Sequence, residues 1–310
     1  MSVLNEAFFA TVQAGALGQR LCVWHAPTDK APRGLVVHLH AFAEEMNKAR
    51  RMVALQARSL ADAGFAVLQI DLLGCGDSAG DFGDATWQAW IDDAVAAVRI
   101  ATERHDQAWP QAQRPTLWLW GHRSGCLLAS AAASRLQTPC HFLFWQPTLS
   151  GRSVLQQFLR LETAAALMGK EPALKGPSAR EVLANGGSPE IAGYRLNPAL
   201  ARSLESAQLL PPASVGATPA RVPTCVVWLD LATQPSPTPA PATQQSLTAW
   251  TAAGCAVRHL TVGGPAFWQT TEIEDAPALL AATAQTLADG NTASPPQSTP
   301  AAFTQPKVLA

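Results

Sequence analysis

Apolar positions along this chain fall into two rhythms that alternate. The opening stretch EAFFATVQAGALGQRLCVWHAP carries two strand-like runs around a glycine-containing turn, which predicts an N-terminal antiparallel hairpin. After Pro32 the pattern changes. GLVVHLH (Gly34 to His40) is a short apolar run, and AEEMNKARRMVALQARSLADAG (Ala43 to Gly64) has the spacing of an amphipathic helix closed by glycine. FAVLQIDLLGCGDSAG (Phe65 to Gly80) then predicts a buried strand entering a Gly-rich loop. TWQAWIDDAVAAVRIATER, TLWLWG, SGCLLASAAASRL and CHFLFWQP continue as helix, strand, helix and strand. Such alternation builds right-handed βαβ units, hence an α/β domain with a mostly parallel sheet and helices on both faces.

From Gly151 to about Pro212 the alternation stops, and interrupted helical segments predict an insertion capping one edge or mouth of the sheet. PTCVVWLDL resumes the sheet, followed by a Pro-rich loop over residues 233–245, a helix (SLTAWTAAG), a strand (CAVRHLTV) and a last helix (APALLAATAQTLADG). The polar, Pro-rich stretch over residues 289–310 has no periodicity and reads as a disordered tail. Residues 1–288 therefore form one expected domain, without internal repeats.

Composition narrows this only a little. The chain has 310 residues, 48% hydrophobic and 15% charged, enough for a large core. Its 22 basic and 23 acidic residues form no basic stripe, which argues against nucleic acid or an anionic membrane as partner. MSVLNEAFFATVQAG lacks the basic n-region of a signal peptide, and no run of about eighteen apolar residues could span a bilayer, so the cytoplasm is the expected compartment. Six scattered cysteines without a C-x-x-C pair read as small buried hydrophobes. No His/Cys/Asp/Glu cluster has metal-ligand spacing, and no cofactor motif is present: the Asp71 to Ser78 loop lacks the G-K-[ST] of a P-loop.

The segment WLWGHRSGCLLA (Trp118 to Ala129) has the outline of a strand, a tight elbow and a helix, the setting of the nucleophile in G-x-S-x-G. With the elbow, the DLLGCGDS loop and the order of elements, the chain resembles the α/β-hydrolase superfamily over roughly residues 5–288. HAFAEEMNKARRMVALQ, WGHRSGCLLA, WQPTLSGRSVLQQFLR and GGPAFWQT further resemble the second type of hydrolase-like protein associated with the exosortase A system. That resemblance implies a bacterial setting of PEP-CTERM protein sorting and exopolysaccharide production, with no defined substrate. A partner protein from that system is then an expected ligand, alongside an anionic small molecule.

The chemistry departs from the superfamily at each member of its triad. The residues two before and two after the nucleophile must be small for strand and helix to pass. Centred on Arg123 these are Gly121 and Gly125; centred on Ser124 they are His122 and Cys126. The nucleophile position therefore holds Arg123, whose guanidinium stays protonated and cannot attack a carbonyl. The loop after the last strand, GGPAFWQT, has no histidine, and His259 lies inside the preceding strand. Asp230 ends a strand near the place expected of the acid, but a strand-end carboxylate capping a turn explains it equally well.

Two readings of the elbow stay open. In one, Arg123 at a helix N-terminus anchors an anion, with a ligand site drawing on Arg123, Ser124, Glu44, Glu45, His40, Phe42 and Asp71. In the other, Glu44 or Glu45 of the loop beside the elbow forms a buried ion pair with Arg123. An ester or thioester hydrolase or acyltransferase remains the alternative function, using Ser124, Cys126 or Ser78 with Asp230 and His40 as weak catalytic candidates. His40 and His122 flank the elbow as an acid or base, or as hydrogen-bonded core histidines. Trp145 and Trp268 fall at strand ends and could line a pocket.

Overall fold

A computed structural model describes residues 3–167, 176–213, 215, 223–234, 236 and 238–289. The hairpin β1 (Val3–Thr11) and β2 (Gln19–Pro27) leads into β3 (Gly34–Leu39), α1 (Glu44–Asp62), β4 (Ala66–Ile70) and α2 (Trp87–Ala108). Then follow β5 (Thr116–His122), α3 (Gly125–Ala133) and β6 (Cys140–Trp145). After the insertion come β9 (Cys225–Ala232), α7 (Pro241–Ala252), β10 (Ala256–Gly263) and α8 (Pro277–Asp289). The eight strands are ordered β1-β2-β4-β3-β5-β6-β9-β10. The pairs β1–β2 and β2–β4 are antiparallel, so β2 alone runs against the rest; from β4 to β10 every neighbouring pair is parallel.

Side chains alternate along each strand, so one sheet builds two cores. Leu35, Val37 and Leu39 of β3 and Phe142 and Phe144 of β6 pack in the core containing α2, α3 and α7 residues such as Trp90, Leu128 and Trp250. Val36, Trp118, Trp120, Leu143 and Trp145 pack with Met52, Val53 and Leu60 of α1 and Leu279 and Leu287 of α8. The long apolar runs of the central strands reflect this burial on both faces. A buried pair, Arg20 Nε donating to Asp93 Oδ2 at 2.8 Å, ties the hairpin to α2, and Asp93 also accepts from the Leu73 amide at 2.8 Å.

The insertion contains α4 (Gly151–Leu167), α5 (Ala179–Ala184) and α6 (Pro198–Ser206). It also contains a two-stranded ribbon, β7 (Glu190–Ile191) with β8 (Tyr194–Arg195), which helical periodicity had no means of signalling. Side-chain bonds fasten this cap to the body, among them Asn197 Nδ2 to the Gly83 carbonyl and Asn47 Nδ2 to the Tyr194 hydroxyl, both at 3.0 Å. The Pro-rich loop expected over 233–245 ends sooner, because Pro241 opens α7. A proline at the first helical position loses no hydrogen bond there, so a composition that reads as loop starts a helix. Of the expected tail 289–310, Asp289 is the last residue of α8, and the remainder lies outside the described residues.

Candidate functional site

The elbow follows β5. Arg123 has φ 54°, whereas Ser124 is in the right-handed helical region with φ −64° and ψ −23°. The strained position, which in an elbow belongs to the nucleophile, is thus that of arginine. Its two flanking glycines are required by close approach. A Cβ on Gly121 would lie 2.5 Å from the Cys126 Cα, and one on Gly125 would lie 2.0 Å from the Leu39 carbonyl oxygen.

Arg123 is held from two sides. Its Nε lies 3.3 Å from both carboxylate oxygens of Glu45, and its Nη2 donates to Glu45 Oε1 at 3.2 Å. Nη2 also donates to Gln157 Oε1 of α4 at 2.9 Å, while Gln157 Nε2 donates to Glu45 Oε1 at 3.1 Å. The Arg123 and Glu45 side chains are 13% and 8% exposed, so this is a largely desolvated pair. Trp268 packs over the guanidinium with its ring centroid 5.4 Å away. Burial pushes the Glu45 carboxyl up from its ordinary value, and Arg123 opposes that shift.

The rotation of α1 decides which glutamate meets Arg123. Ala49, Met52, Val53, Gln56 and Leu60 form its buried stripe, at i+4, i+7, i+8, i+11 and i+15 from Glu45. Burying Met52, Val53 and Leu60 is worth ~1.5–3 kcal/mol each, more than exposed ion pairs of ~0.2–1 kcal/mol could offset. That stripe carries Glu45 inward. Glu44 borders the same space without bonding Arg123: its Oε2 is buried without a partner, and burial raises its carboxyl above the usual range. The space beside Arg123, bounded by Phe42, Glu44, Val154, Gln157 and Phe158, is only about 10 Å³. That is at or below the ~10–15 Å³ needed by one water, so the elbow is closed.

Among the described residues no hydrogen bond joins the weak catalytic candidates Ser124, Asp230 and His40. The Ser124 hydroxyl makes no hydrogen bond among the described residues. His40 Nδ1 faces the Ala41 carbonyl oxygen at 2.8 Å, and its Nε2 accepts from the Leu72 amide at 3.3 Å. Asp230 accepts from Trp228 Nε1 at 3.1 Å and faces His259 Nε2 at 2.9 Å, an Asp–His pair lying across β9 and β10. The alternative nucleophiles are spent or buried. The Ser78 hydroxyl donates to the Asp71 carbonyl, and burial pushes the Cys126 thiol well above its ordinary value. Asp71 pairs with Arg50 at 2.9 Å rather than turning to the elbow.

The loop after β10, which carries no histidine, brings Phe267 and Trp268 against His122 and Arg123. Phe267 stacks on His122, with centroids 5.3 Å apart and planes at 20°. His122 is 1% exposed and neither ring nitrogen has a partner; burial first, then the Arg123 charge, holds its pKa well below the ordinary value. Trp145 is fully buried with Nε1 donating to Thr283 Oγ1, so its ring belongs to the core, whereas Trp268 contacts Arg123. Gln157 was the member missed from sequence. Its signal is a polar residue between Val154 and Phe158 on the inward side of α4. Among the described residues no group of three or more His, Cys, Asp or Glu could hold a metal ion, and no helix is long and apolar enough to cross a membrane.

The mostly parallel eight-stranded sheet, with its elbow after β5, is an α/β-hydrolase fold. Within that class, residues 30–170 match the family described as serine aminopeptidase, S33. Human Protein ABHD12B is 29% identical over 118 residues, 37% of this chain and 29% of that protein, so the match spans under a third of the relative's length. A thermostable carboxyl esterase from Bacillus coagulans, solved with glycerol, superposes with a TM-score of 0.56 at 15% identity, covering 94% of this chain and 98% of that one. Est1E from Butyrivibrio proteoclasticus, solved with ferulic acid, gives 0.52 at 16% identity over 87% and 94% of the two chains. At these identities the structural likeness speaks for the fold alone.

Proposed function

We propose that this chain is a degenerate α/β-hydrolase that binds rather than cleaves, and that it serves the exosortase A and exopolysaccharide system its motifs resemble. The observation that carries the reading is the positive φ of Arg123, which puts a guanidinium at the nucleophile position. The ligand is an anionic group, on a small molecule or on a partner protein. Arg123 Nη1 and the amides of Ser124 and Gly125 have no acceptor among the described residues, and they lie at the positive end of α3. Because the adjoining space is nearly filled, entry requires α4 to carry Gln157 away from Arg123 and Glu45.

A fluorophosphonate probe separates this from the catalytic alternative that the esterase-like fold invites. The expected result is no stoichiometric labelling; labelling that disappears in Ser124→Ala would establish an active serine and defeat the proposal. Binding is tested by thermal shift with inorganic phosphate and glucuronate. Stabilisation of the wild type but not of Arg123→Met is expected, and equal shifts in both proteins would refute the elbow as the anion site.

A further inference from the structure

A second cleft lies outside the elbow, between the first turns of α1, the Gly-rich loop after β4 and the β7–β8 ribbon of the cap. Its volume is about 490 Å³, and its walls include Asn47, Arg50, Asp77, Phe82 and Tyr194. The volume lies within the ~300–1,000 Å³ typical of small-molecule sites. It shares no lining residue with the space beside Arg123.

The polar groups of this cleft are pre-positioned yet retain unused capacity. Arg50 Nη2 donates to Asp71 Oδ2 at 2.9 Å, and Arg50 Nε reaches Asn47 Oδ1 at 3.4 Å, leaving Nη1 without an acceptor. Asn47 Nδ2 donates to the Tyr194 hydroxyl oxygen at 3.0 Å, so the phenolic proton is left to donate. The Asp77 amide donates to Asp71 Oδ2 at 3.2 Å, while the Asp77 carboxylate has no protein partner. Donors and acceptors are therefore interleaved. Phe82 and Tyr194 meet edge to face, with centroids 5.1 Å apart, and supply an aromatic wall.

Charge selects among ligands. The cation of Arg50 is balanced by Asp71, and the Asp77 carboxylate makes the cleft net negative, which disfavours an anion. A cation would instead meet the free Nη1 end of Arg50. A neutral ligand whose hydroxyls each donate and accept satisfies the interleaved groups, and its C–H faces can lie on the aromatic wall. We propose that this cleft binds a neutral saccharide of one or two rings. The inference stands independently of the elbow reading, since none of its residues contacts Arg123.

The test is calorimetric titration of the full chain with glucose, galactose, maltose, cellobiose and sucrose, with glucuronate and glucosamine as charged comparisons. Saturable binding of at least one neutral sugar is expected, weakened about ten-fold by Asn47→Ala and by Tyr194→Phe, the scale of one lost hydrogen bond. Arg123→Met should keep the wild-type affinity. Melting temperatures of the two cleft variants verify that they are folded. The proposal is overturned if no neutral sugar binds, if Asn47→Ala binds as well as wild type, or if a charged sugar binds more tightly than every neutral one.

Discussion

Replacing Arg123 with methionine isolates the energetics of the elbow. The substitution keeps much of the side-chain volume but strips Glu45 of its cation, leaving only Gln157 Nε2 donating to a carboxylate that is 8% exposed. Breaking one side of a buried pair costs about 3–5 kcal/mol. The remaining bond and the partial exposure of the site favour the lower end. At an unfolding entropy of ~2.1 cal/mol/K per residue, a domain of about 290 residues shifts by roughly 1.6 °C per kcal/mol, so the melting temperature at pH 8 should fall by about 5 °C. The pH dependence has a definite sign. Burial already raises the Glu45 pKa, Arg123 lowers it, and removing Arg123 raises it further. Protonation then relieves the buried charge, so the deficit should shrink as pH falls from 8 towards 5. Adding Glu45→Met removes the charge altogether, and the double variant should recover most of the loss. Scanning calorimetry on all four proteins of the cycle gives the coupling directly. Additive losses in the double variant, or a single-variant deficit independent of pH, would show that the pair is not energetically joined.

Two further outcomes follow from the same geometry. Arg123→Ser, although it restores the G-x-S-x-G pattern, should show no hydrolysis of p-nitrophenyl acetate above the unmutated chain, because the nearby histidines are engaged elsewhere: His122 is buried against Phe267, His40 is bonded to Ala41 and Leu72, and His259 pairs with Asp230; burst kinetics in that variant would contradict the assignment. His122→Phe should unfold at an unchanged or higher urea midpoint at pH 7, since both ring nitrogens lack partners and the stack on Phe267 is kept. The depressed pKa of His122 means its neutral form contributes full stability above the ordinary value of 6.5, with loss as pH falls below it. The variant should therefore lose less stability than wild type between pH 7 and 5, and a large loss already at pH 7 would show that the ring nitrogens are bonded.

The order of elements was legible because short continuous apolar runs alternate with period-3.6 segments between Gly34 and Trp145. The position of Arg123 at the elbow followed from two glycines, since steric necessity at Gly121 and Gly125 leaves one register. The choice between Glu44 and Glu45 was in principle legible as well: extending the apolar stripe of α1 back from Met52 reaches Glu45 and not its neighbour. The Asp230–His259 pair was not, because it depends on the parallel register that sets Asp230 opposite Thr261 and His259 opposite Trp228. The same holds for Gln157 meeting Glu45 across 112 positions, and for the ribbon of two-residue strands in the cap, too short to carry a period.

The arginine also carries a conformational cost that its setting must offset. A non-glycine residue in a sparsely populated φ region costs about 1–3 kcal/mol, and glycine at 123 would close the same turn without it. In an active elbow that strain presents a nucleophile. Here it directs a guanidinium towards Glu45 of α1 and Gln157 of α4, so the elbow, the body and the cap meet in one hydrogen-bonded cluster. A turn serving only to connect strand and helix would have no use for this arrangement. For the proposed anion, the cluster would set the terms of binding: it could shift the equilibrium only by the difference between what Arg123 gains from it and what it gives up with Glu45 and Gln157. Gln157 offers a neutral amide oxygen whereas Glu45 offers a charge, so the bond to the cap is the weaker one to exchange. On the proposed reading, ligand capture and lifting of α4 would be the same event.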